Sequence, residues 1–487
     1  MRIVQITPEA VPFAKTGGLA DVAGALSTYL AENGHEVTLF LPLYRMIRKA
    51  GFEPGPVELE LGPADLGLPA EASIRSLPST SELRVRVVDA PDLFDRDGLY
   101  GSEAGDHPDN LLRFAVFCRA ALCAVAEPPD ILHVHDWQSA LAAVLLRSGP
   151  PPGATAISER PPASVLTLHN LAYQGRFAEE SWPETGLPYD WYRPDRLEYY
   201  GGINLLKGGL VTADRVTTVS PGYASEISTP EFGFGLEGNI QALSHPVVGI
   251  LNGIDTVTWN PADDQFLDAP YDVEARSGKA AAKQKLQREF GLSESPDVPL
   301  FGLVSRLVDQ KGIPLIEAVE ERFGDWPAQF VFLGNGEPRY ERLIEQLDRQ
   351  NSNVGSRVAF SERLAHLVEA GSDFFLMPSA FEPCGLNQMI SQRYGTVPVV
   401  HRVGGLADSV IEVTPATLAD GTATGIVFEP FDPDAFAGAI LAALDLFARP
   451  DVMAGVIRAG METDFSWQAS GRKYEELYEH LLEDTNA

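Results

Sequence analysis

Five short stretches of this chain carry residue types that could hold a phosphate or handle a sugar. Lys15-Thr16-Gly17-Gly18 sets an ammonium just before two glycines. Glycine lets the backbone approach a ligand, and the free N–H groups of a first helical turn attract anions. That pairing suits a phosphate, but a Walker loop carries its lysine after its glycines, and the fingerprint G-x-G-x-x-G is absent. Ser305-Arg306-Leu307-Val308-Asp309-Gln310-Lys311-Gly312 puts a guanidinium and an ammonium five residues apart. Arginine can clasp phosphate oxygens through two parallel N–H bonds, and lysine supplies a compact charge. In Phe381-Glu382-Pro383-Cys384-Gly385-Leu386, Glu382 is an acceptor for sugar or ribose hydroxyls, and Gly385 with its neighbours can offer backbone N–H groups. Asp136 and His169 complete the set.

These residues fall where a parallel α/β fold builds its sites. Met1 to Ile6 reads as a buried strand, Asp21 to Leu30 as a helix with Val22, Leu26 and Leu30 on one face, and His35 to Leu41 as the next strand. Further strands are expected at Ile131–His135, Ser164–Leu168 and Arg215–Val219, each followed by a polar loop. The second half repeats the pattern at 299–305, 329–333, 357–360, 373–377, 397–401 and 425–428. Ligands of such sheets bind beyond the carboxyl ends of the strands. Asp136, His169, Arg306, Lys311 and Glu382 all follow strand ends. The pattern implies two Rossmann-like domains, 1–246 and 247–460, with a final helix at 461–487 that presents Tyr474, Leu477, Tyr478 and Leu481 on one face. Gly51 to Leu83 is expected as an excursion from the first sheet, and Pro150 to Pro162 as a loop.

Length and charge narrow the class. A chain of 487 residues exceeds one core and suits two domains. The formal charge of −31 argues against nucleic acid as a partner. It also means that a diphosphate site must create its own positive field. There are only eight lysines, and two of them, Lys15 and Lys311, lie in the motifs. The acidic excess fits either a high-salt cytoplasm or merely a soluble acidic enzyme. Met1-Arg2 runs straight into a strand without a leader, so a cytoplasmic protein is expected. No apolar run reaches about 18 residues, so no membrane span is expected. Cys118, Cys123 and Cys384 lack zinc spacing and fit reduced thiols.

The motifs occur with His133-Val134-His135-Asp136-Trp137, Leu168-His169-Asn170-Leu171-Ala172-Tyr173-Gln174-Gly175, Val219-Ser220-Pro221-Gly222-Tyr223, Gly249-Ile250-Leu251-Asn252-Gly253-Ile254-Asp255 and Gly404-Gly405-Leu406-Ala407-Asp408. In this order they resemble the bacterial and plant glycogen and starch synthases over nearly the whole chain. The resemblance implies a GT-B fold, two Rossmann-like domains facing each other across a central cleft, with the last helix crossing back to the first domain. It implies a retaining glucosyltransferase that extends an α-1,4-glucan from ADP-glucose, with UDP-glucose as the alternative donor and no cofactor. Lys15, Gly17 and Gly18 would meet phosphate, and Arg306 and Lys311 the donor diphosphate. Glu382, Asp136, His169 and Asn252 would surround the glucose. Cys384, Gly385 and Leu386 would line the donor pocket, and Tyr173 and Trp137 would pack on the glucan or in the core.

Four positions depart from that family's pattern. Gly202, Ala380 and His401 stand where lysine, arginine and arginine are frequent, and Gln138 where histidine is common. Two D-x-D sequences, Asp95-Arg96-Asp97 and Asp432-Pro433-Asp434, resemble a metal motif of other glycosyltransferases. The second reads instead as a helix N-cap followed by proline at the first helical position, and no metal is expected. Rival readings are another nucleotide-sugar transferase of the same fold, a glucan phosphorylase bearing pyridoxal phosphate, and a sugar-binding protein without catalysis.

Overall fold

The computed structural model describes residues 1–80, 82–102 and 105–486. Its contacts divide the chain into two compact units. One comprises residues 1–219, 224–250 and 467–487, and the other 220–223 and 251–466. The strands, in chain order, are β1 (Arg2–Ile6), β2 (Glu36–Pro42), β3 (Val57–Leu61), β4 (Ala72–Leu77), β5 (Leu83–Asp89), β6 (Gly101–Ser102), β7 (Gly105–Asp106), β8 (Ile131–His135), β9 (Ala163–Leu168) and β10 (Arg176–Ala178). There follow β11 (Glu198–Tyr199), β12 (Gly202–Asn204), β13 (Arg215–Thr218), β14 (Val248–Gly249), β15 (Leu300–Val304), β16 (Gln329–Gly334), β17 (Val354–Val358), β18 (Phe374–Met377), β19 (Val397–His401) and β20 (Ile426–Phe428).

Among the described residues, the first unit is built on a nine-stranded sheet of order β14-β13-β9-β8-β1-β2-β5-β4-β3. It is parallel through β5, and β4 and β3 join antiparallel at one edge. The order reverses between β1 and β8, the position at which a doubly wound sheet opens a crevice for a ligand. The helix Gly18–Glu32 buries Leu19, Val22, Leu26 and Leu30. The last helix, Trp467–Asn486, packs against it, and Tyr474, Tyr478 and Leu481 are buried. A Cβ on Gly471 would lie 2.2 Å from the Tyr29 ring, so only glycine admits this approach.

The second unit carries a six-stranded parallel sheet of order β17-β16-β15-β18-β19-β20 among the described residues. Its reversal lies between β15 and β18. Phe301 stacks between Phe330 and Phe374 on adjacent strands, with centroids 5.1 and 5.0 Å away. Leu300, Val331 and Phe375 belong to a second apolar cluster. A parallel sheet buried on both faces needs such unbroken apolar runs.

Several elements differ from the sequence expectation. The stretch 51–83 is no excursion, because β3 and β4 extend the first sheet despite the prolines and glycines around them. Val247 to Leu251, expected to open the second domain, supplies β14, which pairs with β13 of the first sheet. A strand expected at 357–360 lies at Val354–Val358, and Phe360 is 89% exposed, so its apolar ring misled the pattern. The segment 150–162 holds a short helix, Thr155–Glu159. The antiparallel sheet β10-β12-β11 has no counterpart in the expectation. Among the described residues no helix is long and apolar enough to cross a membrane.

Candidate active site

In the first unit the polar residues collect beyond β1, β8 and β9. Gly17 caps the helix Gly18–Glu32 in extended backbone, φ −160°, and its missing Cβ would face open space. The fold therefore makes no use of that absent side chain, whereas a ligand approaching the backbone would. Lys15 reaches Asp21 at 2.7 Å, with both side chains partly exposed. An exposed pair of this kind holds weakly. The loop is anchored from below by Glu9, a buried carboxylate just past β1 that sequence reasoning missed. Glu9 accepts from the Thr16 N–H, from Thr16 Oγ1 at 2.6 Å and from the Tyr100 hydroxyl at 2.5 Å.

Asp136 sits where β8 turns into the helix Asp136–Ser148, in left-handed backbone with φ +53°. A non-glycine residue held there is strained, and such strain gathers at functional sites. Its carboxylate accepts from the His169 backbone N–H at 2.7 Å. Burial outweighs that bond and pushes its acid up to about 7. His169, just past β9, is also buried, which lowers its imidazole to about 3. The ring is neutral at physiological pH, and its Nε2 meets His135 Nδ1 at 3.0 Å. His135 Nε2 in turn meets Gln5 Oε1 at 2.9 Å. With the Gln5 oxygen as acceptor, His135 carries its proton on Nε2 and accepts at Nδ1. His169 then donates through Nε2, leaving its Nδ1 a hydrogen-bond acceptor. His133 lies behind His135, with centroids 4.3 Å apart, between Tyr478 of the last helix and Thr167. Gln5, His133 and His135 were also missed. Their available signal was polar residues inside otherwise apolar strands.

The two aromatic candidates part company. Trp137 is only 8% exposed and lies edge-on to Phe114 at 5.1 Å. A Cβ on Gly175, φ +62°, would come within 2.4 Å of it. Tyr173 is 55% exposed.

In the second unit the loops after β15 and β18 converge. Lys311 Nζ donates to Glu382 Oε2 at 2.5 Å, and Ser379 Oγ donates to the same oxygen at 3.0 Å. Glu382 is buried, and its backbone C=O accepts from Gly405 at 3.1 Å. Gly312, φ +74°, must lack a side chain, since a Cβ there would lie 1.8 Å from the Pro378 carbonyl oxygen. Arg306 is exposed, and its guanidinium enters no ion pair or hydrogen bond among the described residues. Cys384 is buried beside Asn252, and burial pushes its thiol up to about 12, so it is no ready nucleophile. The Asn252 Oδ1 is buried without a partner among the described residues. Gly385 takes φ +72°, and the half-buried Leu386 leads into the helix Asn387–Arg393.

Of the departures, His401 and Gly202 fit their surroundings. His401 is buried and bonds the Ser379 carbonyl at 2.8 Å, bracing the loop that carries Glu382. The Ala380 N–H donates to the Gln310 carbonyl at 2.9 Å. At Gly202 a Cβ would lie 2.8 Å from the Phe177 carbonyl oxygen, leaving little room for a longer residue. Gln138 is buried. Both D-x-D sequences are otherwise engaged. Asp95 and Asp97 bind Arg45, Lys49 also binds Asp97, and Asp432 caps a helix through Ala435 N–H at 2.8 Å.

Two doubly wound α/β units, each with its polar residues at the switch point of its sheet, are the marks of a GT-B glycosyltransferase. The description "starch synthase catalytic domain" matches residues 2–242, and "glycosyl transferases group 1" matches 298–445. The chain belongs to the glycogen and starch synthase family. It is 42% identical to glycogen synthase 1 of Methylococcus capsulatus, over all of this chain and 98% of that one. It is 45% identical to the glycogen synthase of Myxococcus xanthus, over 99% and 100%. Among solved structures it resembles the catalytic domain of starch synthase IV from Arabidopsis thaliana, bound to ADP and acarbose. That match has TM-score 0.89 and 34% identity over 99% of both chains. A sucrose-phosphate synthase from Thermosynechococcus elongatus, 18% identical with TM-score 0.62 over 99% of both chains, shares the fold.

Proposed function

We propose that this glycosyltransferase moves glucose from ADP-glucose to the non-reducing end of an α-1,4-glucan with retention of configuration, in the cytoplasm. The observation that carries the reading is the cationic pair beyond β15. In a chain of net charge −31, Arg306 is exposed and unneutralised, and Lys311 stands beside the buried Glu382. A nucleoside diphosphate is the ligand such a pair would hold. The ADP in the Arabidopsis relative supports the same choice of donor.

The residues take these parts. Arg306 and Lys311 meet the diphosphate, and Lys15 with the backbone of Gly17 and Gly18 is a further phosphate-binding group. Glu382 and Asn252 Oδ1 accept from donor hydroxyls, and Cys384, Gly385 and Leu386 form the wall of that pocket. The neutral His169 offers Nδ1 to a glucose hydroxyl, beside Asp136. Tyr173 lies open to the acceptor, while Trp137 supports the Asp136 turn from the core. The bond from the anomeric carbon to the diphosphate oxygen breaks first, through an oxocarbenium-like state. The acceptor 4-hydroxyl attacks from the same face, and its proton passes to the departing phosphate. This is substitution at one carbon and calls for no redox or electron-sink cofactor.

The test is a donor panel with labelled ADP-glucose and UDP-glucose on glycogen. Label should enter polymer faster from ADP-glucose, and nuclear magnetic resonance should find the new linkage α. Label in a small soluble product, or a preference for UDP-glucose, would overturn the acceptor or the donor assignment respectively.

A further inference from the structure

Two turns of the first unit place an aromatic residue where turn chemistry disfavours one. The β11–β12 hairpin pairs Tyr199 with Gly202, leaving a two-residue turn, Tyr200-Gly201, with φ +50° and +78°. Such a turn needs positive φ at both positions, and its first place usually goes to Asn, Asp or Gly. Phe234-Gly235 repeats the pair of angles, +49° and +82°. Among the described residues, only Asp136, Tyr200 and Phe234 combine positive φ with a side chain. One of the three lies at the candidate active site. The other two expose their rings, Tyr200 by 87% and Phe234 by 37%.

The two turns are neighbours. Tyr199 meets the Tyr200 ring edge-on at 4.7 Å, and its hydroxyl donates to the Phe234 carbonyl at 3.5 Å. The Gln174 amide donates to the same carbonyl at 3.1 Å and to that of Leu171 at 3.2 Å. The pair of turns is thus tied to the loop that His169 opens and that carries the exposed Tyr173. An aromatic ring that is both strained and wetted is disfavoured twice, by its backbone and by its exposure.

We propose that Tyr200 and Phe234 form a platform, outside the reacting centre, on which a neutral α-glucan chain lies before it reaches the His169 loop. The inference rests on the reading of the chain as a glucan-extending transferase. Aromatic faces cover the apolar C–H faces of pyranose rings, and the edges of the patch stay wet. Charge favours this occupant. A protein of net −31 repels anionic lipid and nucleic acid, whereas an uncharged polysaccharide meets no such barrier. Continuity with the His169 loop gives the bound chain a direction.

The experiment uses Tyr200→Asn and Phe234→Asn, which suit left-handed backbone, with Tyr200→Phe, which keeps the ring. Native electrophoresis in gels containing glycogen reads glucan binding without activity. Both Asn variants should lose most of the retardation, and Tyr200→Phe should keep it. The ratio of kcat/KM on glycogen to that on maltotriose should fall roughly tenfold in the Asn variants. Their melting temperatures should equal or exceed the wild type's, because strain is relieved. Undiminished retardation in the Asn variants overturns the platform, as does equal loss in Tyr200→Phe. A change of oligomeric state in light scattering with glycogen retardation intact assigns the rings to a protein contact, which also overturns it. Retardation that depends on Tyr200 in a protein transferring no glucose would keep the platform and reject the activity.

Discussion

On the proposed reading, the two units would serve their halves of the chemistry by opposite means. Beyond its Lys15 loop, the first works mainly with desolvated imidazoles and a carboxyl whose charge burial opposes. His133, His135 and His169 are buried and neutral, Asp136 is pushed up to about 7, and each histidine is pinned by a hydrogen bond. The second works with formal charge. Arg306 stands exposed, and Lys311 is held on Glu382. The difference follows from what each would meet. Sugar hydroxyls need acceptors and donors in fixed directions, which neutral imidazole supplies once its tautomer is set. A departing diphosphate needs positive charge wherever its own charge grows.

The largest expected effect comes from removing that charge. Lys311→Ala should lower kcat by roughly 10²–10³, by analogy with loss of one oxyanion-stabilising donor. Negative charge increases on the diphosphate as its bond to glucose breaks, so a fixed ammonium favours the transition state over the ground state. Because Lys311 also neutralises Glu382, the double variant with Glu382→Gln separates a lost cation from an orphaned carboxylate. Arg306→Ala should behave similarly without adding to Lys311→Ala, since both act on one group. A Lys311→Ala enzyme with near-native kcat and only a raised KM would make the lysine a donor anchor.

The neutral half should be more forgiving. Gln5→Leu removes the acceptor that sets the His135 proton, so His135 and His169 can exchange tautomers and His169 Nδ1 becomes a donor part of the time. A hydrogen bond presented in the wrong sense for part of the population should lower kcat by about tenfold. Gln5→Glu retains an acceptor oxygen and should recover most of the rate, while adding a limb to the pH profile as His135 becomes easier to protonate. Equal loss in both variants would reduce Gln5 to a packing residue.

The comparison was half legible in the residues themselves. The charged half announces itself, because cations are scarce in an acidic chain and Arg306, Lys311 and Glu382 follow apolar strand-like runs. The neutral half was legible only at Asp136 and His169. Gln5 and His135 act through contacts between β1, β8 and the end of β9, and Glu9 through Thr16 and the distant Tyr100, which no spacing along one strand reveals. A lone glutamine inside Arg2–Ile6 did signal a buried partner, but not which one. The edge strands β3 and β4 were hidden because prolines and glycines nearby imitate loop composition, and Phe360 misled because an exposed ring and a buried one look alike in sequence. The strain at Tyr200 and Phe234 is invisible without backbone angles, although an aromatic before glycine in a hairpin turn is a cue.

Acid should strike the neutral half first. His133 and His169, lowered to about 3, and His135, lowered well below its usual range by burial, bind no proton in the folded state near pH 6, whereas an unfolded histidine titrates near 6.5. The stability they confer is complete above pH 6.5 and is lost as the pH falls below it. Asp136 opposes them, since between about pH 4 and 7 its folded form holds a proton that the unfolded form has released. On unfolding near pH 5.5 these four groups together should take up about two protons, contributing about 2–3 kcal/mol per pH unit to the slope of stability, which the raised carboxyls Glu369 and Asp373 of the second unit partly offset. Urea midpoints from pH 7 to 5 measure the slope. His133→Asn should flatten it by about one proton, and an unchanged slope would show that His133 is already charged when folded.

Salt should divide the two halves, with the smallest effects. The chain carries 68 acidic and 37 basic residues, and of its eight lysines only Lys473 lacks an engaged ammonium among the described residues. Potassium chloride at 1 M shortens the Debye length to about 3 Å. Two consequences compete. Screening weakens the exposed ion pairs, each worth at most about 1 kcal/mol, and it weakens repulsion among the excess carboxylates. With 31 more acids than bases, the repulsion should prevail, so the melting temperature should rise by a few degrees between about 0.1 and 1 M. A flat or falling curve would remove any case for adaptation to a saline interior. The same salt should raise KM for the nucleotide-glucose, because Arg306 and Lys311 reach it through charge, while KM for a neutral maltooligosaccharide should hardly move. Lys311→Ala should blunt the salt dependence of the donor KM and leave that of the acceptor alone. If both KM values climbed together, the division into a charged donor half and a neutral glucan half would be wrong, whatever the melting curve did.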